Sequence, residues 1–175
     1  MSCAMECEEM PVSCGPRPNP LIMAARFAAL ALGILVALGG MIKERKFKHL
    51  AAWLGAWGVF LTYARYLICA RCEGYGKMCY SHYMGKYTSM IFPRVEDKEP
   101  GTQGNMVEAI CLGAISLMPA LALRDDRKLM LRYLAFLQFV FTAQFFHACR
   151  RCAANSTQEW KKKCPGNRAW DKLRG

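Results

Sequence analysis

The run 27-FAALALGILVALGGMI-42 constrains the fold of this chain more than any other stretch. Every position in it is apolar or glycine, so it lacks a polar face at the 3.6-residue period of an amphipathic helix. A helix that is apolar on all sides lies in lipid or deep inside a large protein. Because the chain has only 175 residues, enough for one domain, we expect this helix to lie in lipid.

The apolar character extends over residues 20–42, and three further apolar runs follow at about 50–70, 106–123 and 129–148. A helix that spans a bilayer needs about 20 mainly apolar residues, because the hydrocarbon core is roughly 30 Å thick. Each run reaches this length if the Arg or Glu near its end lies at the level of the lipid headgroups. The runs therefore predict an all-α integral membrane protein with four transmembrane helices.

Four spans place both termini on the same side of the membrane, and the chain then consists of two helical hairpins within residues 20–149. The short basic connections 43–49 and 124–128 share one side. Three longer segments share the other side, which we call the cysteine face: the N-terminal tail 1–19, the irregular loop 71–105 and the basic C-terminal tail 150–175.

Nine of the ten cysteines fall on the cysteine face. Each predicted hairpin ends in Cys-x-Arg-Cys and is followed by a third cysteine. Because the loop and tails have little apolar core of their own, we expect disulfides to order them, each contributing about 2–4 kcal/mol. The candidate residues are Cys69, Cys72, Cys79, Cys149, Cys152 and Cys164.

Two other kinds of chemistry remain open for these cysteines. The pairs Cys69/Cys72 and Cys149/Cys152 together provide the four thiolates that a zinc or iron site requires. A membrane thiol–disulfide oxidoreductase also uses such pairs, but both pairs follow apolar runs and so lie at helix C-termini, where the helix dipole disfavours the thiolate. The sequence predicts no cofactor, with zinc as the alternative.

Three charged residues lie within the apolar runs near the cysteine face: Glu108, Arg65 and Arg26. Charges at this depth are costly unless they are paired, so we expect a structural ion pair. Small residues recur every four positions along the first run, at Ala25, Ala29, Gly33 and Ala37. Such a stripe allows another membrane helix to approach closely.

The formal net charge of +11 is concentrated in the short connections and the C-terminal tail. We expect these basic segments to contact anionic lipids, and we expect no nucleic-acid partner. Lys and Arg in short loops favour the cytoplasmic or matrix side, which places the cysteine face in the intermembrane space of a mitochondrial inner membrane. The acidic start, 1-MSCAMECEEMPVSC-14, does not resemble a cleaved secretory signal.

No arrangement of residues in the sequence indicates catalysis. We therefore expect a non-catalytic accessory or structural subunit of a larger membrane complex, such as a respiratory-chain, ATP synthase or photosynthetic assembly, with other membrane subunits as its partners. Thiol–disulfide exchange and metal binding are the alternative functions.

Overall fold

The computed structural model describes residues 19–72, 74–79, 81–95, 102–148 and 172–173, and its described elements are helical. The predicted all-α class is therefore confirmed for these residues. The α-helices are α1 (Pro20–Lys43), α2 (Phe47–Val59), α3 (Arg65–Ile68), α4 (Met84–Ile91), α5 (Thr102–Ala122) and α6 (Arg127–Ala143).

Three of the described helices are long and apolar enough to cross a membrane. They cover Pro20–Lys43, Gln103–Ala122 and Arg127–Phe146. The first begins where Asn19 caps it: the Asn19 side chain accepts a hydrogen bond from the Leu21 backbone N–H at 2.9 Å, and Pro20 occupies the first helical position. These helices make the chain compatible with an integral membrane protein.

The second apolar run is helical throughout residues 47–71, but its geometry changes along its length. After α2 comes a π turn (Phe60–Ala64), then α3, then a 3₁₀ turn (Cys69–Arg71). At about 1.5 Å per residue, residues 47–71 extend roughly 37 Å. This run therefore has the reach of a transmembrane segment, although none of the α-helices within residues 47–71 reaches that length alone.

The closest helix packing joins elements that are distant in sequence. Helix α1 packs mainly against α6, and α2 mainly against α5, whereas the sequence neighbours α1 and α2 have fewer contacts. The two short turns lie at the same end of the bundle, because Lys43 Nζ lies 3.5 Å from an Asp126 carboxylate oxygen and Lys46 Nζ lies 3.3 Å from one of Asp125.

The small-residue stripe of α1 faces the bundle in three of its four positions. Ala29, Gly33 and Ala37 are buried, and a Cβ on Gly33 would lie 3.4 Å from the Cβ of Phe136 on α6. Ala25 is exposed within this chain, so its packing role, which could involve a different subunit, stays a prediction. A step of four residues turns about 40° past a full rotation, and over three steps this drift carries Ala25 out of the interface, where Arg26 takes its place.

Pro119 lies inside α5 and releases one backbone carbonyl. Proline has no N–H to donate to the carbonyl four residues earlier, which is that of Ile115. The Ile115 oxygen instead accepts hydrogen bonds from Trp53 Nε1 at 3.1 Å and from the Tyr133 hydroxyl at 2.7 Å. One carbonyl thereby connects α5 with α2 and α6.

The predicted irregular loop is wrong for α4, which lies within it. Helix α4 packs against α3 and the 3₁₀ turn, with Gly85 and Thr88 buried. The Tyr75 hydroxyl donates to the Phe92 carbonyl at 2.6 Å, and this bond ties the segment after the 3₁₀ turn to the end of α4. The many glycines around α4 concealed the helix in the sequence, because they are typical of turns.

Leu123 provides a test of the core at the turn end of the bundle. Its side chain is fully buried and packs on Gly40, whereas Leu121 is 56 % exposed. Leu123→Ala is expected to lower the free energy of unfolding by about 2–5 kcal/mol, measured by denaturant unfolding in detergent micelles. The control Leu121→Ala should change it by less than about 0.5 kcal/mol. Equal losses would contradict this packing.

Candidate functional site

Two arginines lie inside the bundle, while large apolar side chains lie on its outside. Arg26 and Arg65 are 1 % and 3 % exposed, whereas Ile110, Leu35 and Leu117 are more than half exposed. Buried charges are rare unless they are paired, so the partners of the two arginines define the polar interior. Both lie toward the cysteine face.

Arg65 is fully engaged with neighbouring groups. Its Nη2 atom forms an ion pair with a Glu108 carboxylate oxygen, and its Nε atom donates to the Phe60 carbonyl at 3.2 Å. The guanidinium also lies over the Phe60 ring, 4.3 Å from the ring centroid. Because Glu108 is on α5 and Phe60 begins the π turn, Arg65 connects residues 47–71 to α5. The expected structural ion pair is thus present between Arg65 and Glu108.

Arg26 has a different set of partners. Its Nη2 atom donates to the Gln144 side-chain oxygen and lies 3.3 Å from His82 Nδ1. The Gln144 side-chain nitrogen in turn donates to the Ser81 hydroxyl at 3.3 Å. Gln144 begins the π turn (Gln144–Ala148) that follows α6. This network therefore ties α1 to the end of α6 and to the loop before α4.

The Arg26–Gln144 and Arg65–Glu108 contacts occupy similar positions in the two halves of the chain. Arg26 is the seventh residue of α1, counting from Pro20, and Glu108 is the seventh of α5, counting from Thr102. Each forms a polar contact with the second helical segment of the other half, at Gln144 and Arg65 respectively. The contacts also join the two most closely packed helix pairs. The halves are thus fastened in a nearly equivalent way.

His82 is held as a neutral ring. Since arginine can only donate, His82 Nδ1 accepts from Arg26, and the ring proton is on Nε2. Burial, and secondarily the positive charge of Arg26, lowers the pKa of His82 to about 4. The ring also packs edge-on against Phe27, with the centroids 5.2 Å apart. These contacts dock the loop onto α1.

Docking by a neutral His82 predicts a pH-dependent stability. Unfolding returns the His82 pKa to about 6.5, so its stabilising effect is complete above that pH and is lost progressively as the pH falls toward 4. The midpoint of unfolding in detergent should therefore be lower at pH 5 than at pH 7. His82→Asn, which tolerates the positive φ of 51°, should flatten this dependence.

The matched control for this pH experiment is His49→Asn, which should retain the wild-type slope. Asp126 does not contribute to the change in stability between pH 7 and pH 5, because the Leu129 N–H and Lys43 hold the pKa of its carboxyl below the ordinary value of 3.8. An unchanged slope in His82→Asn would contradict the assigned role of His82.

Three of the four described cysteines cluster around the end of residues 47–71, and the fourth, Cys111, is buried in α5. Cys69 is 8 % exposed, with Arg65 Nη1 3.7 Å from its sulfur and with Cys79 nearby. Cys72 and Cys79 each accept a backbone N–H, from Gly74 at 3.4 Å and from Gly85 at 3.3 Å. These distances bring the first three disulfide candidates into one region at the end of the bundle.

Cys69, Cys79 and Cys111 carry thiols and are not joined to one another. Cys149, Cys152 and Cys164 lie outside the described residues, so their disulfides and the four-cysteine zinc site stay predictions. Among the residues that the structure describes, no three His, Cys, Asp or Glu side chains are arranged to hold a metal ion.

Arg71 donates to the Tyr66 and Leu67 carbonyls at 3.1 and 3.3 Å and so caps the C-terminal end of residues 47–71.

A small apolar cavity lies at the centre of the bundle. Its volume is about 80 Å³, and it is lined from four sides, by α1, α2, α5 and α6. Ligand pockets generally measure about 300–1,000 Å³. A void of this size suits a packing gap between aromatic side chains such as Trp57 and Phe136 rather than a cofactor site.

Sequence reasoning missed several residues of the polar interior. His82, Gln144 and Ser81 belong to the Arg26 network, and Trp53 and Tyr133 bind the carbonyl released by Pro119. Gln144 offered a signal, since a lone amide in an apolar run requires a partner. Ser81 and His82 gave no comparable signal in the sequence.

Comparisons with protein-family models, with curated proteins and with solved structures find no match to this chain.

Proposed function

We propose that this chain crosses a membrane four times and acts as a non-catalytic accessory or structural subunit of a larger membrane assembly. One observation carries the proposal: the arginines are buried and paired inside the bundle, while large apolar side chains cover its outside. Contact of such an outer surface with water would cost free energy, whereas lipid or other membrane helices would cover it favourably.

Four spans rather than three are supported by residues 47–71. This segment packs along α5 and is roughly as long as the hydrocarbon core is thick. Its buried Arg65 is paired with Glu108, which lowers the cost of placing this charge in a membrane. The joined turns at Lys43–Asp126 and Lys46–Asp125 suit an arrangement in which both lie on one side of the membrane.

A subunit role is supported by the way the polar groups are used. The side chains of Arg65 and Glu108 are occupied by each other, and Gln144 connects Arg26 with Ser81. None of these contacts resembles a nucleophile with its base or an oxyanion site. In the apolar part of Arg127–Phe146 only 6 % of the residues are buried within the chain, which leaves this helix the most available for neighbouring subunits.

The proposed orientation follows the charge of the turns. Lys43, Arg45, Lys46 and Lys48 would face the matrix of a mitochondrial inner membrane, with the cysteine face in the intermembrane space. Disulfides on that face would be compatible with an oxidising compartment.

Epitope tags test the number of spans in membranes isolated from the native cell or an expression host. Tags are placed at the N-terminus, at the C-terminus and in the turn at residues 124–126, and their protection from protease is measured. Four spans predict that both terminal tags are cleaved from one side and the turn tag from the other. Termini on opposite sides would contradict the proposal.

Size separation tests the subunit role. The native membranes are solubilised in a mild detergent, and the chain is located on a native gel. It should migrate in a complex several times larger than its 19.7 kDa mass plus a micelle, and harsher detergent should release it. Migration as a small monomer in the mildest detergent would contradict a subunit role.

Thiol–disulfide exchange is the second candidate function, favoured by the proximity of Cys69, Cys79 and the Arg65 guanidinium. Oxidation of two thiols to a disulfide would pass two electrons and two protons to a partner disulfide. Alkylation with and without reductant, followed by mass measurement, tests it. A pair that cycles with partner redox state supports exchange, whereas disulfides that persist under native conditions support the structural role.

A further inference from the structure

A groove of about 430 Å³ opens between α1 and α6 at the turn end of the bundle, on the side opposite the cysteine face. Its apolar wall includes Leu35 and Val36 on α1 and Leu129 on α6. Its rim carries the cations Lys43, Lys128 and Arg132 and the Asp126 carboxylate, and so has a net positive charge. An apolar wall below a cationic rim matches the two parts of a phospholipid, the acyl chain and the phosphate.

The charges on the rim are not all balanced by residues that the structure describes. Lys43 is paired with Asp126 at 3.5 Å. Lys128 and Arg132 are exposed, and neither forms an ion pair with a described residue. They are four positions apart on α6, so their side chains lie on the same face one helical turn apart. This spacing allows one phosphate group to contact both, with Arg132 able to bind it through two N–H groups.

Two adjacent glycines explain why the groove is open. A Cβ on Gly40 would collide with the Leu123 side chain, so Gly40 is required for packing inside the bundle. A Cβ on Gly39 would meet nothing within 4 Å, and Gly39 lines the groove. Gly39 therefore leaves room for an acyl chain to lie against the backbone of α1 in the groove.

We propose that this groove binds an anionic glycerophospholipid, with the phosphate at Lys128 and Arg132 and an acyl chain along Leu35, Val36 and Gly39. The inference rests on the proposed function, because it requires this end of the bundle to lie at the headgroup level. The basic turns place the site in the leaflet that is rich in anionic lipid. The lipid thereby fills the junction between the first and last long helices.

The test measures lipid binding to the full chain in detergent by native mass spectrometry. Phosphatidylglycerol and phosphatidylcholine with identical acyl chains are compared. Phosphatidylglycerol is expected to bind about tenfold more tightly, and the variant Lys128→Gln/Arg132→Gln should lose that preference. The control Lys48→Gln/Arg124→Gln removes the same charge from the same end, outside the groove, and should keep it.

A second pair of variants tests the groove without changing charge. Gly39→Leu fills it and should weaken the binding of both lipids about tenfold, while Gly55→Leu, which also enters open space but lies on α2, should not. Thermal unfolding of each variant checks that it is folded.

Four results would overturn the proposal, and three of them come from the variants and from competition with inorganic phosphate. These three are wild-type lipid binding by Gly39→Leu, an equal loss in the Lys48/Arg124 control, and displacement of phosphatidylglycerol by inorganic phosphate, which would indicate a site for a free anion. Failure of the proposed function can be distinguished from failure of the lipid site, because a chain that does not insert into membranes would stay soluble without detergent. A chain that requires detergent but shows no lipid preference would refute the lipid site alone.

Discussion

Glu108→Gln is expected to lower the free energy of unfolding by about 3 kcal/mol, the low end of the range for a broken buried ion pair. The substitution leaves the Arg65 guanidinium, 3 % exposed, without its carboxylate. Glu108 retains 30 % exposure, which moderates the loss. The measurement is denaturant unfolding in detergent micelles, followed by tryptophan fluorescence.

Two further variants make the Glu108 result specific. Arg124→Gln removes an exposed charge that lies 3.7 Å from Asp125, and it should change the stability by less than about 1 kcal/mol. The double variant Arg65→Met/Glu108→Leu removes both buried charges and should recover most of the loss. If Glu108→Gln is as stable as the wild type, the pair does not fasten residues 47–71 to α5.

Gly85→Ala is expected to disrupt the docking of α4. A Cβ at this position would collide with the Gly74 carbonyl oxygen and would lie 3.0 Å from the Lys77 carbonyl oxygen. Both are backbone atoms, which cannot move aside as a side chain can. We expect a local destabilisation of about 2 kcal/mol or more, and thus a roughly thirtyfold faster alkylation of buried Cys69, measured by peptide mass spectrometry.

The control for the Gly85 experiment is Gly113→Ala. Gly113 lies on α5, and a Cβ there would meet nothing within 4 Å. This variant should leave the alkylation rate of Cys69 unchanged. Unaltered alkylation in Gly85→Ala as well would show that the segment after Cys72 does not cover Cys69.

The sequence predicted those features of the fold that depend on local composition. The run around Gly33 is apolar on all sides, and the structure has the long α1 there, within one residue of the predicted end. The buried stripe was also readable, because small residues at helical spacing favour close approach. Ala25 lies outside the packing within this chain, because the 3.6-residue helix does not follow a strict four-residue period.

Features that depend on long-range contacts could not be predicted in the same way. Arg26 meets Gln144 and His82, residues more than fifty positions away in sequence. A single sequence indicates that a buried arginine needs partners, but not which residues the packing of α1 against α6 will supply. The π turn at Phe60–Ala64 could not be predicted from the sequence either. It coincides with the hydrogen bond from Arg65 to the Phe60 carbonyl, which depends on how the helices pack.

The candidate site was predicted in part. The clustering of Cys69, Cys72 and Cys79 follows from their position after an apolar run, and the described residues place them together at one end. The pairing of Glu108 with Arg65 rather than Arg26 required the knowledge that α5 packs against α2. Hydrophobic pattern alone contains no information on that choice.

Contacts between helices can offset the poor intrinsic helix preference of a residue such as Pro119. Alanine is far better than proline inside an isolated helix. At position 119, however, an alanine N–H would compete for the Ile115 oxygen, whose two lone pairs already serve Trp53 and Tyr133. In lipid, no water would compensate either displaced donor. The residue that most weakens α5 as a helix therefore stabilises the association of three helices.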